Sequence, residues 1–505
     1  MNGSRIVDVS EVFARFNEFE RKNDLLKAYV AGVQIWPLIR FSVYSKMILP
    51  KLVPIGAAHP DFARSKMATT GIGLGRVKLM FREVWRRIRE WVSNNPLLSF
   101  RRSDVLLALS PRITRIDGRR TVRLMIDFWL PRLKSSCTVL EFKETGNDYV
   151  PPISGSAAPV LYFGRMDYSV RRYRRSCQFK AFEGEIVDFS HKLSHMLSEA
   201  FGIEVRPAVI AKRVANAVSR EKVMLPMLKK VLRRKRVKCI VVSVGYSQRN
   251  QVLSHAAHEL GIPVVELQHG TIYRAHAAYN LPSQCPDYVP DWVLTWGSHW
   301  GAQTSNYSNK GNVCVGYPYL QYFQERHPRK RASPGVKNIL FISQGTIGCQ
   351  LSKAAIQLSR LLPADEFKIV YKLHPNESRS WRRIYPELME SSVEVVENTK
   401  RNVYVCFSEA DAVVGVYSTA LLEADMWGHC PYVLSWLPGA ETMKVFSDAH
   451  LLRFVDSIEE LSGKVMHYEE TREKDGYGHE VFLGGNSAGR ITGFIDDVVK
   501  REVAL

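Results

Sequence analysis

The chain has 505 residues, too many for one ordinary core and enough for roughly two to four domains. Hydrophobic residues make up 46% and charged residues 24%, the balance of a folded protein, which excludes general disorder. Lys and Arg outnumber Asp and Glu 70 to 50, and the resulting +20 asks for an acidic partner: nucleic acid, anionic lipid or a phosphate-rich substrate.

Residues 1–100 read as an N-terminal region of mixed helix and loop. It lacks the cationic stretch, apolar core and small-residue cleavage site of a secretory signal. Its most apolar run, 31–39, is broken by Gln34 and Pro37 and falls short of the ~18 residues a membrane helix needs. The stretch 76–92 has helical periodicity, with Phe81, Trp85, Ile88 and Val92 on one face and Arg82, Arg86, Arg87 and Arg89 on the other. Such a helix either lies on an anionic membrane or packs on the core with a solvated basic face.

From Val105 short apolar runs at 105–110, 137–142 and 159–163 mark buried strands. Residues 207–236 form a long helical region, expected to be interrupted near Pro226, and the basic cluster 229–238 reads as its solvated end. Residues 239–270 run strand, loop, helix, Gly-Ile-Pro turn, strand, which is one βαβ unit of a parallel sheet. Further strands at 292–297 and 312–318 complete a first domain, 101–326. The polar, Pro- and base-rich segment 327–337 reads as a linker. A second α/β rhythm fills 338–484, with strands at 338–343, 367–375, 392–397 and 430–436, a helix at 352–362 and a strand–turn–helix over 410–428. Two such domains form a cleft between facing strand ends, and ligands of open α/β sheets bind at carboxyl ends of strands.

Four motifs fall at those ends. Gln268-His269-Gly270-Thr271 follows the strand 263–267, where an imidazole titrating near neutral pH can take a proton from a hydroxyl. The same residues also suit a histidine that only bonds a turn. Ser343-Gln344-Gly345-Thr346 offers a glycine and hydroxyls to a phosphate, or simply turns a strand into a helix. Lys372-Leu373-His374-Pro375 sets an imidazole beside a proline-fixed turn, able to donate to a diphosphate, with Lys372 nearby unless it faces away; a plain surface turn has the same pattern. Tyr417-Ser418-Thr419 opens a helix that carries Glu423 one turn on. Its hydroxyls and N–H groups suit an anion, and the Glu423 carboxylate suits ribose hydroxyls, although ordinary N-capping also explains Ser and Thr there.

Taken in this order, QHGT, SQGT, KLHP and YSTALLEA (417–424), with the GxxIWPLIR pattern at 32–40, resemble the capsule polysaccharide and teichoic-acid-type transferases, with capsular Kdo transferases among their relatives. The likeness runs at motif level over residues 239–436; nothing between 40 and 235 contributes. It implies an α/β GT-B fold, two Rossmann-like parallel-sheet domains facing a central cleft, with a C-terminal helix in 485–505 crossing back to the first. It implies a metal-independent glycosyltransferase that moves a sugar from a nucleotide-activated donor to a polysaccharide or lipid-linked acceptor of the bacterial surface, such as capsule or O-antigen. His269 is then the candidate base, with Gln268, Gly270 and Thr271 on the acceptor side. Gln344, Gly345, Thr346, Lys372, His374, Ser418 and Thr419 become donor ligands, and Glu423 the ribose ligand. Relatives that transfer Kdo with retention use a carboxylate nucleophile; Asp167 and Asp117 are the candidates here, each equally a turn or cap aspartate, so the stereochemistry stays open.

No DxD-like pair ends a strand, so no metal or other cofactor is expected. The eight cysteines form no CxxC pair, which suggests neither zinc nor a disulfide framework and fits reduced thiols in the cytoplasm, here at the inner face of an anionic membrane. Two other classes compete. A GT-B sugar-nucleotide epimerase would need no basic surface toward a membrane. A nucleic-acid-binding protein would need aromatic RNA motifs or a helix-turn-helix with basic recognition residues, and neither is present, so nucleic acid is not an expected partner.

Overall fold

The computed structural model describes residues 9–53, 95–110, 113–116, 120–141, 158–330, 335–377, 380–397, 401–449, 451–467 and 478–502. The basic stretch 76–92 and Asp117 lie outside them.

The short apolar runs form two parallel sheets. The first contains β1 (Val105–Ala108), β2 (Cys137–Glu141), β3 (Val160–Tyr162), β4 (Cys239–Val242), β5 (Val264–Leu267), β6 (Trp292–Thr295) and β7 (Gly311–Cys314). The second contains β8 (Lys337–Ile342), β9 (Phe367–Lys372), β10 (Glu394–Val396), β11 (Ala412–Gly415), β12 (Tyr432–Leu434) and β13 (Arg453–Val455). Every residue of β1, β4, β5, β6 and β11 is buried, as covered faces on both sides require.

The order is β7-β6-β5-β4-β1-β2-β3 in the first sheet and β10-β9-β8-β11-β12-β13 in the second, with every neighbouring pair parallel. In each, the chain starts mid-sheet, builds outward, then returns beside its first strand and builds the other way. The reversals fall between β1 and β4 and between β8 and β11, and each opens a crevice at the carboxyl ends of its strands. This is the two-domain Rossmann-like architecture of a GT-B protein.

The N-terminal helices α1 (Val9–Lys22) and α2 (Trp36–Val43) join the hydrophobic core that runs into the first domain. Glu20 and Arg40 are both buried and pair through Nε–Oε1 at 2.5 Å and Nη2–Oε2 at 2.8 Å. Arg40 also donates to the carbonyls of Ala277 and Asn280, and Trp36 Nε1 donates to Glu20 at 2.5 Å. The 32–40 pattern is thus a clamp on the segment that follows the QHGT motif.

Helices α3 (Glu183–Phe201) and α4 (Pro207–Lys235) pack along each other, and α5 (Gln248–His258) lies against α4. The expected interruption at Pro226 is absent: α4 is one helix of 29 residues. A proline in a helix interior costs about 3 kcal/mol. Val214, Val218 and Met224 before it and Leu228, Val231 and Leu232 after it are all buried, and that shared burial outweighs the lost backbone bond. The end of α4 is also not wholly solvated. Lys235 is fully buried, donates to Ser99 Oγ and the Arg101 carbonyl at 2.9 Å each, and is held below the usual lysine range by burial.

The chain ends on the first domain. Helix α6 (Ser487–Lys500) sets Ile491, Ile495 and Val498 in one cluster with Val105, Val241 and Val265. Asp496 accepts from the backbone N–H of Ser135 at 3.0 Å, and Arg490 Nε donates to the Val315 carbonyl at 2.9 Å. Just before it, the carbonyl of Val481 accepts from Trp300 Nε1 at 2.6 Å. Among the described residues no helix is long and apolar enough to cross a membrane.

Candidate functional site

β5 ends at Leu267, and the next residues turn into the space between the domains. Gln268 is buried and holds that turn, donating to the Gly270 carbonyl at 2.9 Å and accepting from the Trp296 N–H at 2.8 Å. His269 stands between two tyrosines: Nδ1 is 3.1 Å from Tyr279 Oη, and Nε2 is 3.1 Å from Tyr246 Oη. Tyr279 gives its own proton to Glu266 Oε1 at 3.0 Å. Nδ1 of His269 must therefore be the donor to Tyr279, which leaves the Nε2 lone pair toward Tyr246.

Glu266 anchors this chain from inside β5. It is fully buried and accepts from Tyr307 Oη at 2.6 Å and the Gly245 N–H at 3.1 Å as well as from Tyr279. Burial outweighs those donors and pushes its carboxyl up to about 7. Position 245 has to be glycine, since a Cβ there would collide with the Glu266 carboxylate and the Tyr307 hydroxyl.

In the second domain the two loops after β8 and β9 are tied by Glu377. This buried carboxyl accepts from Ser343 Oγ at 2.8 Å, Tyr385 Oη at 2.6 Å and the His374 N–H at 2.6 Å. Burial raises it above the usual carboxylate range. His374 Nδ1 accepts from the Asn376 N–H at 3.3 Å, so its ring proton sits on Nε2 as a donor. Burial and the nearby Lys372 charge hold that imidazole below its ordinary pKa. Lys372 is buried, its ammonium pushed down to about 8 by desolvation, and donates to the Leu373 carbonyl at 3.4 Å. Gln344 Oε1 is buried with no partner among the described residues. Gly345 and Thr346 follow it, both half-buried, in the loop before the helix Gly348–Leu361.

Ser418 caps the helix Thr419–Glu423, its hydroxyl accepting from the Ala420 N–H at 3.3 Å, which is the plain capping role. Glu423 accepts from Tyr404 Oη at 2.8 Å, and burial pushes its carboxyl up to about 7.

A cavity of about 480 Å³ separates the two halves. Its first-domain wall carries His269, Gly270 and Thr271 with Tyr246, His276 and Trp296; its second-domain wall carries Thr419, Leu422 and Glu423. Of the residues singled out in the sequence, the fold brings His269, Gly270, Thr271, Thr419 and Glu423 onto this one space. Ser343 to Thr346 and Tyr417 to Thr419 flank the crevice between β8 and β11, and His374 lies in the loop just after the neighbouring β9. Asp167 is not among the lining residues. It lies in the helix Gly164–Tyr173 and is bound by Arg249 through Nε at 3.2 Å and Nη2 at 2.8 Å.

Sequence reading missed His276, Tyr279, Glu266 and Glu377. Burial and the Arg40 charge push His276 down to about 4, and its ring stacks on Phe41 at 5.6 Å and 3°. The visible clue to Glu266 was a carboxylate inside an otherwise apolar strand. The clue to Glu377 was its place three residues after His374. Among the described residues no three His, Cys, Asp or Glu side chains are grouped to hold a metal ion.

No family model matches the chain, and no curated protein matches it. Among solved structures, the UDP-GlcNAc 2-epimerase from Methanocaldococcus jannaschii is similar at 10% identity, over 78% of this chain and 99% of that one, with a TM-score of 0.45. The UDP-GlcNAc 2-epimerase from Neisseria meningitidis, bound to UDP-GlcNAc, is similar at 14% identity over 79% and 99%, with a TM-score of 0.44. The wall teichoic acid polymerase TagF is similar at 10% identity over 84% and 98%, with a TM-score of 0.38. At these scores the likeness carries no argument about activity.

Proposed function

We propose that the protein is a glycosyltransferase that takes a sugar from a nucleotide-activated donor and adds it to a growing, lipid-linked bacterial surface polysaccharide. The observation that carries this reading is the convergence of His269 from one domain with Thr419 and Glu423 from the other on one cavity. The donor's nucleotide lies along the β8/β11 crevice, with the diphosphate receiving hydrogen bonds from His374 Nε2 and the 417–419 turn. The acceptor hydroxyl enters on the His269 side and gives its proton to the Tyr246 hydroxyl, which passes its own proton to Nε2. Its oxygen then bonds the anomeric carbon while the bond from that carbon to the diphosphate oxygen breaks, and the nucleoside diphosphate leaves with the electron pair. Glu266 and Tyr279 keep the His269 proton on Nδ1 so that Nε2 stays a base. Asp167 is occupied by Arg249, which favours this route over a carboxylate nucleophile. No metal enters the scheme. The charge of +20 supports a phosphate-rich donor and work at an anionic membrane face in the cytoplasm.

One observation favours a second reading, epimerisation of a free sugar nucleotide. Glu423, with a carboxyl near 7, and His269 face the same cavity, so a carboxyl and an imidazole can act on one ligand. A panel of nucleotide sugars, incubated with and without a lipid-linked acceptor, separates the two. Transfer is expected to consume donor, release nucleoside diphosphate and extend the acceptor. An altered sugar still attached to its nucleotide, with no acceptor required, would establish epimerisation instead.

A further inference from the structure

The wall chemistry of the cavity says which kind of sugar it takes, an inference that rests on the reading above. Seven of the described lining residues are aromatic, and none is Lys or Arg although the chain holds 70 of them. Trp296 and Tyr317 stack face to face at 4.5 Å and 15°, and Phe482 stacks on Trp296 at 5.8 Å and 22°, so the three rings form one aromatic layer in the wall. Tyr246, Tyr273 and Tyr279 stand on the same side as His269 and His276. The carboxylate on the described wall is Glu423. His276, pushed down to about 4, is neutral under ordinary conditions and supplies one hydrogen-bonding ring without charge.

These walls fit a ring with C–H faces and hydroxyl edges: the C–H groups pack against the aromatic side chains, and the hydroxyls bond tyrosines, threonines and imidazoles. They do not fit a second carboxylate, which would find no Lys or Arg among the described lining residues to pair it and would meet Glu423. An unpaired buried charge costs several kcal/mol. We propose that the cavity selects a neutral pyranose and rejects sugars that carry a carboxylate.

The test is saturation-transfer NMR on the full chain with methyl glycosides of glucose, galactose, mannose and N-acetylglucosamine, each paired with its uronate where one exists. At least one neutral glycoside is expected to receive saturation, and its uronate to bind about tenfold or more weakly. Thr271→Lys, which adds a cation from a partly open loop, is expected to narrow that gap, and Trp296→Ala to abolish the signal. Circular dichroism checks folding of the tryptophan variant; the Thr271 variant keeps the test alive if that one unfolds. A uronate that binds as well as its neutral partner, or silence from every neutral glycoside, overturns the proposal. Calorimetry of UDP, CDP, GDP and ADP on the same sample reports separately on the nucleotide reading, so either can fail while the other stands.

Discussion

Replacing Glu266 with glutamine isolates one buried charge and the base it positions. The carboxyl is fully buried beneath three donors, and its displacement from an ordinary 4.5 to about 7 corresponds to about 3 kcal/mol of preference for the protonated form. Because the folded-state pKa is raised, the stabilisation is present at low pH and is lost as pH rises through about 7. Between about pH 5.5 and about pH 8.5 the native state gives up a proton that the unfolded chain has already released, and roughly 2 kcal/mol of stability goes with it. Glu423 titrates in the same direction near 7 and remains in the variant. Glu266→Gln keeps the shape against Gly245, so urea unfolding at the two pH values should show a pH dependence about 2 kcal/mol shallower than the parent's. Turnover should fall about 10- to 100-fold, as for loss of an outer partner that orients a reactive histidine. Parent and variant losing stability in parallel between the two pH values would refute the assignment of a buried, proton-holding Glu266.

Four further outcomes are expected. His269→Ala should lower turnover by about 10²–10⁴-fold with donor affinity nearly unchanged, read from steady-state kinetics and calorimetry. His374→Ala should weaken donor binding by about 1.5–3 kcal/mol, the value of a hydrogen bond to a charged group, with the melting curve intact. EDTA should leave activity unaltered; loss restored by magnesium or manganese would put a metal in the reaction. Arg40→Met should destabilise the fold by about 3–5 kcal/mol in denaturant, because it strands Glu20 in the core, and Glu20→Met in the same chain should restore part of that.

The sheets were readable because strands buried on both faces are continuous apolar runs: Cys239–Val242, Val264–Leu267 and Ala412–Gly415 needed no context. The motif residues were readable because strand ends followed by Gly, Ser or His are easy to place. Pro226 was misread because local propensity forbids what packing of α3 and α5 on α4 sustains. His276 and Tyr279 were invisible because they lie in a segment without strand or helix periodicity. Their placement depends on Arg40, more than 230 residues away in sequence, holding the carbonyls of Ala277 and Asn280. Ser418 had two readings from sequence, and the fold gives its hydroxyl the capping one.

A structure of the full chain with the nucleoside diphosphate selected by calorimetry tests the central claim most directly. The expected result sets the diphosphate against His374 and the 417–419 turn, at the crevice between β8 and β11, with the leaving oxygen directed into the cavity that His269 lines. Nucleotide held by the first domain's β1/β4 crevice, or bound with its phosphates away from His374 and that turn, would contradict it.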